Sequence, residues 1–503
     1  MNNQYETCIK KLIKISSAVM LITFAIHLTG CKDNEHSNSA ASISDNWQLF
    51  VDDYWIADSA NVVMKLHQPQ KHPANPLIRG DVPWEQAPYC FGTVIYDKAD
   101  KVFKIWYQSY NFDQPVESRT PVLYAISDDG INWKRPKLGI YDFQGSKDNN
   151  IILNNYGYHD LYSPSVIKDT VENDPQKRYK MIWWDYLGER DWHLDAGMCA
   201  AFSADGIHWN KYPKNPVLRA KRAEHSISDV MSVMQDKGSG KYVAYTKGWK
   251  NIDTPNEFRQ IVRTESSDFI HWSEPQVVLT HKHNINDPQS YGMPVSRIGN
   301  LYLGLISIYK KPGDETIDIQ LTVSHDNIYW KRCAGRRTFI PLGEEGSWDD
   351  GMIFAAPLFN YGDKTYIYYG GWDGAHNTKT RSSGIGLAVL PKNRFSSLSA
   401  GGKQNGIVTT YAIENAQGRL FVNVNAENGS LAAEILNNQG EPTAGYGRED
   451  CIALSGDHLS AALRWKEHTE LPPSDKALKI RFFIKNADLF GFYAGENAIR
   501  EDK

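Results

Sequence analysis

A repeat constrains this chain more than any other feature. A Ser, an Asp and, a few residues on, a Trp recur as Ser127-Asp-Asp-Gly-Ile-Asn-Trp133, Ser203-Ala-Asp-Gly-Ile-His-Trp209, Ser266-Ser-Asp-Phe-Ile-His-Trp272 and Ser324-His-Asp-Asn-Ile-Tyr-Trp330. Self-similarity at this period marks a repeat architecture. The Asp and Gly favour a tight turn in which the carboxylate caps backbone donors. The Trp is expected to plug the gap between neighbouring sheets, with no chemistry of its own.

Each turn follows two strand-like runs. Phe91-Gly-Thr-Val-Ile-Tyr96, Asp229-Val-Met-Ser-Val-Met234 and Tyr291-Gly-Met-Pro-Val295 enter from polar loops, and aromatic strands such as Phe103-Lys-Ile-Trp-Tyr107 and Thr365-Tyr-Ile-Tyr-Tyr369 follow. Period-two alternation between Gly, Asp and Asn reads as β. Radial repetition of four-stranded units predicts an all-β, five-bladed β-propeller over 46–398. Trp47-Gln-Leu-Phe-Val51 is expected to add the strand that closes the ring. Past Gly402 the period changes, and 403–503 predicts a C-terminal β-sandwich without a catalytic constellation, a packing or carbohydrate-binding module.

Residues 1–30 read as a signal peptide, with Lys10, Lys11 and Lys14 before an apolar run and Leu28-Thr-Gly-Cys31 as a lipobox. Cys31 is the expected lipidation site, and 31–45 reads as a flexible tether. Lys32 after the Cys favours outer-membrane sorting. The expected protein is thus an exported lipoprotein that meets the membrane through its anchor. Cys90, Cys199, Cys333 and Cys451 are far apart and read as small buried thiols. A net charge of -4 without a basic stripe excludes a nucleic-acid partner. Aromatics at 12%, including 15 Trp and 27 Tyr, suit sheet packing and flat platforms for sugars.

Propeller units with these turns ahead of a sandwich resemble the glycoside hydrolase family 32 and 43 superfamily. Leu49-Phe-Val-Asp-Asp-Tyr-Trp-Ile56, Pro83-Trp-Glu85 and Lys392-Asn-Arg-Phe-Ser-Ser-Leu398 are similar to exported family-32-like propeller proteins. The chain lacks the Trp-Met-Asn-Asp-Pro-Asn-Gly, Arg-Asp-Pro and Glu-Cys motifs of fructan-cleaving members. The resemblance implies a base or nucleophile on blade one, a supporting Asp on blade two and an acid on blade three.

Hydrolysis of a glycosidic bond needs two carboxyl groups, one to protonate the leaving oxygen and one to attack or to activate water. The entrances of the innermost strands supply Glu85, Asp160, Asp229 with Glu224, and Asp350 as catalytic candidates. Arg79, Trp84, His159, His225, Asp287, Trp348 and Asp349 are candidates for substrate binding, and Trp372 for stacking. Single Asp residues before a strand are often turn caps. No local spacing marks a metal site and no cofactor is expected, although a calcium ion in the channel would suit converging Asp oxygens. The expected function is an exo-acting glycoside hydrolase on oligo- or polysaccharides. A non-catalytic glycan-binding surface lipoprotein is the alternative, and a lyase using His159 or a Tyr as base ranks behind it.

Overall fold

The computed structural model describes residues 43 and 46–497, apart from 190–194, 281–286, 380, 403 and 474–476. The signal peptide, Cys31 and most of the tether therefore lie outside the described residues. The architecture is all-β and propeller-like.

Antiparallel hairpins build the body. The first sheet runs Pro88–Asp97, Val102–Ser109, Val122–Ser127 and Ile151–Leu153. The second runs Tyr162–Lys168, Tyr179–Tyr186 and Ala196–Ser203, with two short strands on its outer edge. The third runs Ile227–Asp236, Lys241–Lys250, Phe258–Ser266 and Gln276–Leu279. The remaining hairpins, centred on Leu301–Tyr309 and Lys364–Trp372, join through a parallel bridge at Ile317↔Met352 into one 12-stranded sheet.

The Ser-Asp turns form as their sequence dictates. Ser127 Oγ accepts from Gly130 N at 2.9 Å, and Asp129 Oδ1 accepts from the backbone N–H groups of Ile131 and Asn132, each at 2.8 Å. The same bonds recur around Asp205, Asp268 and Asp326. Neighbouring sheets meet on these turns. Trp133 sits edge-on to Tyr368 and Trp330 to Tyr245, while Tyr368 Oη donates to Gly130 O at 2.7 Å.

A second contact links successive sheets at the far end of their first strands. Asp97 accepts from Tyr179 Oη at 2.9 Å, and Asp236 accepts from Tyr302 Oη at 2.6 Å. Asp169 accepts from Tyr242 Oη in the same way. Each buried carboxylate also holds a cation, Lys104, Arg297 and Lys180 respectively. Burial of these charges is tolerable because each is paired and hydrogen-bonded.

The chain's first strands go elsewhere than expected. Gln48–Leu49 pairs with Ala487–Gly495 and does not close the body. The outer edge of the last hairpin is supplied by Gln70–Lys71 and Ile78–Arg79, which pair with Ser383–Pro391. Ile56–Ala60 and Val63–Leu66 also join the C-terminal strands, making one nine-stranded sheet. Its axis is the 18-residue strand Arg419–Leu436, which pairs first with Ala487–Gly495 and then, past an irregularity, with Lys479–Lys485. Bending lets one sheet curl around Phe50, Phe482 and Phe492. Cys90, Cys199, Cys333 and Cys451 are free, and all but Cys451 are buried.

Candidate functional site

A cavity of about 740 Å³ opens where first strands begin, second strands end and third strands start. Local irregularities aim its wall. The register slips near the start of the innermost strand in four hairpins, between Tyr89 and Thr93, Tyr162 and Ser165, Ile227 and Met231, and Ser290 and Gly292. A bulge bends a strand and re-aims its side chains, and Phe91, Asp229, Val230 and Tyr291 in these stretches line the cavity. Gly92 belongs to the first bulge: a Cβ there would meet Trp106 O at 1.8 Å, so only glycine fits. The other walls are aromatic, with Tyr110 and Phe112 after the second strand, Trp249, Phe354 and Trp372.

Charge enters from strand ends and one loop. Lys247 and Arg259 come from adjacent strands of the third sheet, and His376, Lys379 and Arg381 from the loop after Lys364–Trp372. Asp229 is the carboxylate of the wall; its side chain is 26% exposed and its Oδ1 lies 2.6 Å from Lys247 Nζ. Burial pushes the Asp229 carboxyl up, but Lys247, Ser228 and Arg259 outweigh it and hold its pKa below the usual value. Burial, then the positive charges of Arg259, Lys247 and Arg381, push His376 down to about 4. The imidazole is therefore neutral near pH 7, with Nε2 2.8 Å from Tyr291 Oη.

Asp160 stands just behind this wall. It accepts from Tyr110 Oη at 2.8 Å and Tyr162 Oη at 3.3 Å, and Arg119 Nη1 lies 3.5 Å from its Oδ1. Both tyrosines line the cavity. Burial raises the Tyr89 hydroxyl pKa well above its usual value, with Asp160, Tyr110 and Asp229 adding to it.

The other candidates lie elsewhere. Glu85 is fully buried, clamped by Arg135 Nη2 at 2.6 Å and Nε at 2.9 Å and by Tyr107 Oη at 2.6 Å. Burial pushes its pKa up against the pull of Arg135. Both Glu85 oxygens are thus occupied by protein groups, and the residue is not part of the cavity wall. Asp349 is a buried partner of Lys71 at 2.6 Å, tying the edge strand Gln70–Lys71 to the last hairpin. Asp350 caps its own turn through Gly346 N at 2.7 Å. Trp348 stacks on Tyr369, and Trp84 donates to Asn150 Oδ1 at 2.7 Å.

Glu224 and His225 are exposed; Glu224 accepts from Asn251 N, and His225 Nδ1 meets Gln260. His159 is exposed with its ring edge-on to Tyr186. Arg79 bonds back to Pro76 O, and Asp287 precedes the strand Gln289–Gly292 outside the cavity wall. Of the candidate stacking residues, Trp372 alone lines the cavity. Among the described residues no three His, Cys, Asp or Glu side chains converge as a metal-ligand set.

Sequence reasoning missed Lys247, Arg259, His376 and Arg381. It sampled only the starts of first strands. In an antiparallel hairpin the second strand ends, and the third begins, at that same end. The signal was therefore present in Lys247-Gly-Trp249 and Phe258-Arg259.

Comparison with known proteins gives distant structural neighbours. A structure described as a glycoside hydrolase is 14% identical with a TM-score of 0.47, covering 65% of this chain and 92% of its own. A thermostable family-43 glycoside hydrolase is 14% identical with a TM-score of 0.46, covering 64% and 95%. An N-acetylgalactosamine deacetylase from F. plautii, in complex with blood group B trisaccharide, is 13% identical with a TM-score of 0.42, covering 70% and 95%. Likeness at this level decides nothing about activity. No protein-family model and no curated protein matches the chain.

Proposed function

We propose that this protein is an exported, lipid-anchored glycoside hydrolase acting at the ends of glycan chains. Its body is read as five propeller blades around the cavity, with the C-terminal sheet as a sandwich-like support. The observation that carries the reading is the Asp229 carboxylate, kept charged by Lys247 on an aromatic-walled cavity that Asp160 also approaches.

Charge and aromatic faces suit a sugar, since flat rings offer apolar platforms and polar groups fix orientation. A volume of about 740 Å³ lies in the range of small-ligand sites and admits a few sugar units, which favours attack at a chain end. In this reading Asp229, held ionised, attacks the anomeric carbon or activates water. Asp160, tied to the cavity through Tyr110 and Tyr162, is the candidate to protonate the leaving oxygen. The lipobox ending in Cys31 supports surface or periplasmic placement.

A second reading, glycan binding without cleavage, is favoured by one observation: Glu85, the candidate from the first sheet, is locked by Arg135. One experiment separates the two. Full-length protein is assayed for reducing-end release on an oligosaccharide panel, beside Asp229→Asn and Asp160→Asn. Hydrolysis predicts release by the wild type and its loss by about a hundredfold or more in each variant. Binding with no release on any member leaves only the second reading.

A further inference from the structure

The cavity wall carries Lys247, Arg259, Lys379 and Arg381 against the single carboxylate Asp229. Among the described residues neither arginine is in ion-pair contact with a carboxylate, and Arg259 reaches Asp229 only through its longer-range field. Arg259 Nη1 donates to Gln289 Oε1 at 2.8 Å, and its Nε is buried without a hydrogen bond. Its guanidinium instead lies over the rings of Trp249, Tyr291 and Tyr309, at 4.6, 5.3 and 5.0 Å from their centroids. Arg381 lies 5.0 Å over Trp372 and bonds only to carbonyl oxygens, those of Ala375 at 3.2 Å and His376 at 2.9 Å. The buried cations Lys104, Lys180, Lys247 and Arg394 each meet a carboxylate. Desolvated cations without counterions are unfavourable. An arginine fork is built to take a carboxylate or sulfate through charge-assisted bonds.

We propose that the cavity recognises an anionic sugar, with Arg259 and Arg381 holding its carboxylate or sulfate group beside Asp229. This rests on the reading of the cavity as a glycan site and adds the class of glycan. Aromatic stacking keeps the guanidinium planes in place before the ligand arrives, so little side-chain freedom is lost on binding. His376, neutral and hydrogen-bonded to Tyr291, keeps a further positive charge away at neutral pH. The anion is therefore held by permanent charges rather than by a titrating one.

Calorimetric titration of the full-length protein tests the proposal. The probes are a galacturonic-acid trisaccharide, the same trisaccharide reduced to its neutral galactose form, and a neutral-backbone trisaccharide carrying a sulfate ester. At least one charged probe is expected to bind about tenfold tighter than the neutral one, an advantage that shrinks with added salt. Arg259→Met and Arg381→Met are each expected to weaken the charged probe about tenfold more than the neutral one, removing that advantage. Arg259→Lys, which keeps the charge, is expected to recover part of it and shows that the loss is not misfolding. The preferred charged probe identifies the anion as carboxylate or sulfate. Equal binding of charged and neutral probes overturns the anionic preference and leaves the glycan reading standing. If none of the three binds to a protein that melts cooperatively, the preference falls, and the glycan reading then depends on the oligosaccharide panel.

Discussion

Lys247 Nζ lies 2.6 Å from Asp229 Oδ1, and this ion pair keeps a desolvated carboxyl ionised inside an aromatic cavity. Removing the lysine leaves burial unopposed except by Ser228 and the more remote Arg259. Lys247→Met is therefore expected to raise the Asp229 pKa. The acid limb of the pH–rate profile, where activity falls as Asp229 takes up a proton, should move to higher pH. A profile with its acid limb unmoved would dissociate Asp229 from the chemistry.

Glu85 and Arg135 make the opposite prediction, a large effect on stability and none on turnover. Glu85 is fully buried, and Arg135→Met strands its charge, an effect of about 3–5 kcal/mol. Glu85→Gln keeps the shape and should cost less. Both are measured by denaturant unfolding. Turnover per folded molecule should match the wild type, and its abolition in a stably folded Glu85→Gln protein would restore Glu85 as a catalytic group.

These two carboxylates show what the sequence could and could not reveal. Both stand at the entrance of an innermost strand, Glu85 just before Pro88–Asp97 and Asp229 near the start of Ile227–Asp236, and nothing local separates them. The difference lies in Arg135, 50 residues from Glu85, and in a bulge that turns Asp229 to the cavity. The Ser-Asp turns were fully legible because their bonds close within a few residues. The pairing of Gln48 with Phe492 was not, since a two-residue strand carries no periodicity and its partner is at the far end of the chain. Alternation says which side chains share a face, and it does not say which faces converge.

Stability should fall with pH in two separable steps. The His376 pKa drops from 6.5 to about 4 on folding, so between those values the unfolded chain binds more protons. This contribution is complete above about pH 6.5 and is lost as pH falls toward 4. Asp169 is a depressed carboxylate: burial raises it, but Tyr242 and Lys180 bring it to about 2. Its contribution is present above the unfolded value near pH 4 and is lost as pH falls toward 2. His376→Gln should flatten the first step and leave the second. Urea midpoints taken every half unit of pH check this, and an unchanged slope between pH 6.5 and 4 in the variant would refute the His376 assignment.

Arg394 joins the hairpin body to the C-terminal sheet. It follows the strand Ser383–Pro391, is 5% exposed, and reaches Asn423 Oδ1 at 2.8 Å, Val424 O at 3.3 Å and the Asp457 carboxylate, with its guanidinium 4.6 Å over Phe490. These partners all belong to the nine-stranded sheet, which also borrows Gln48–Leu49 and Ser396–Ala400 from either side of the body. Asp457 is 43% exposed, so losing the arginine leaves that charge hydrated and strands no buried acid. The effect of Arg394→Ala should therefore fall on coupling between the two parts: the buried hydrogen bonds at Asn423 and Val424 go, and a cavity forms against Phe490. Scanning calorimetry is expected to turn one cooperative transition into two, with the C-terminal sheet melting first because it has lost its principal polar tie. Arg394→Lys restores charge without the fork and should give an intermediate trace. A single transition, merely shifted, would place the coupling instead in the apolar contacts around Trp47, Phe421 and Tyr493.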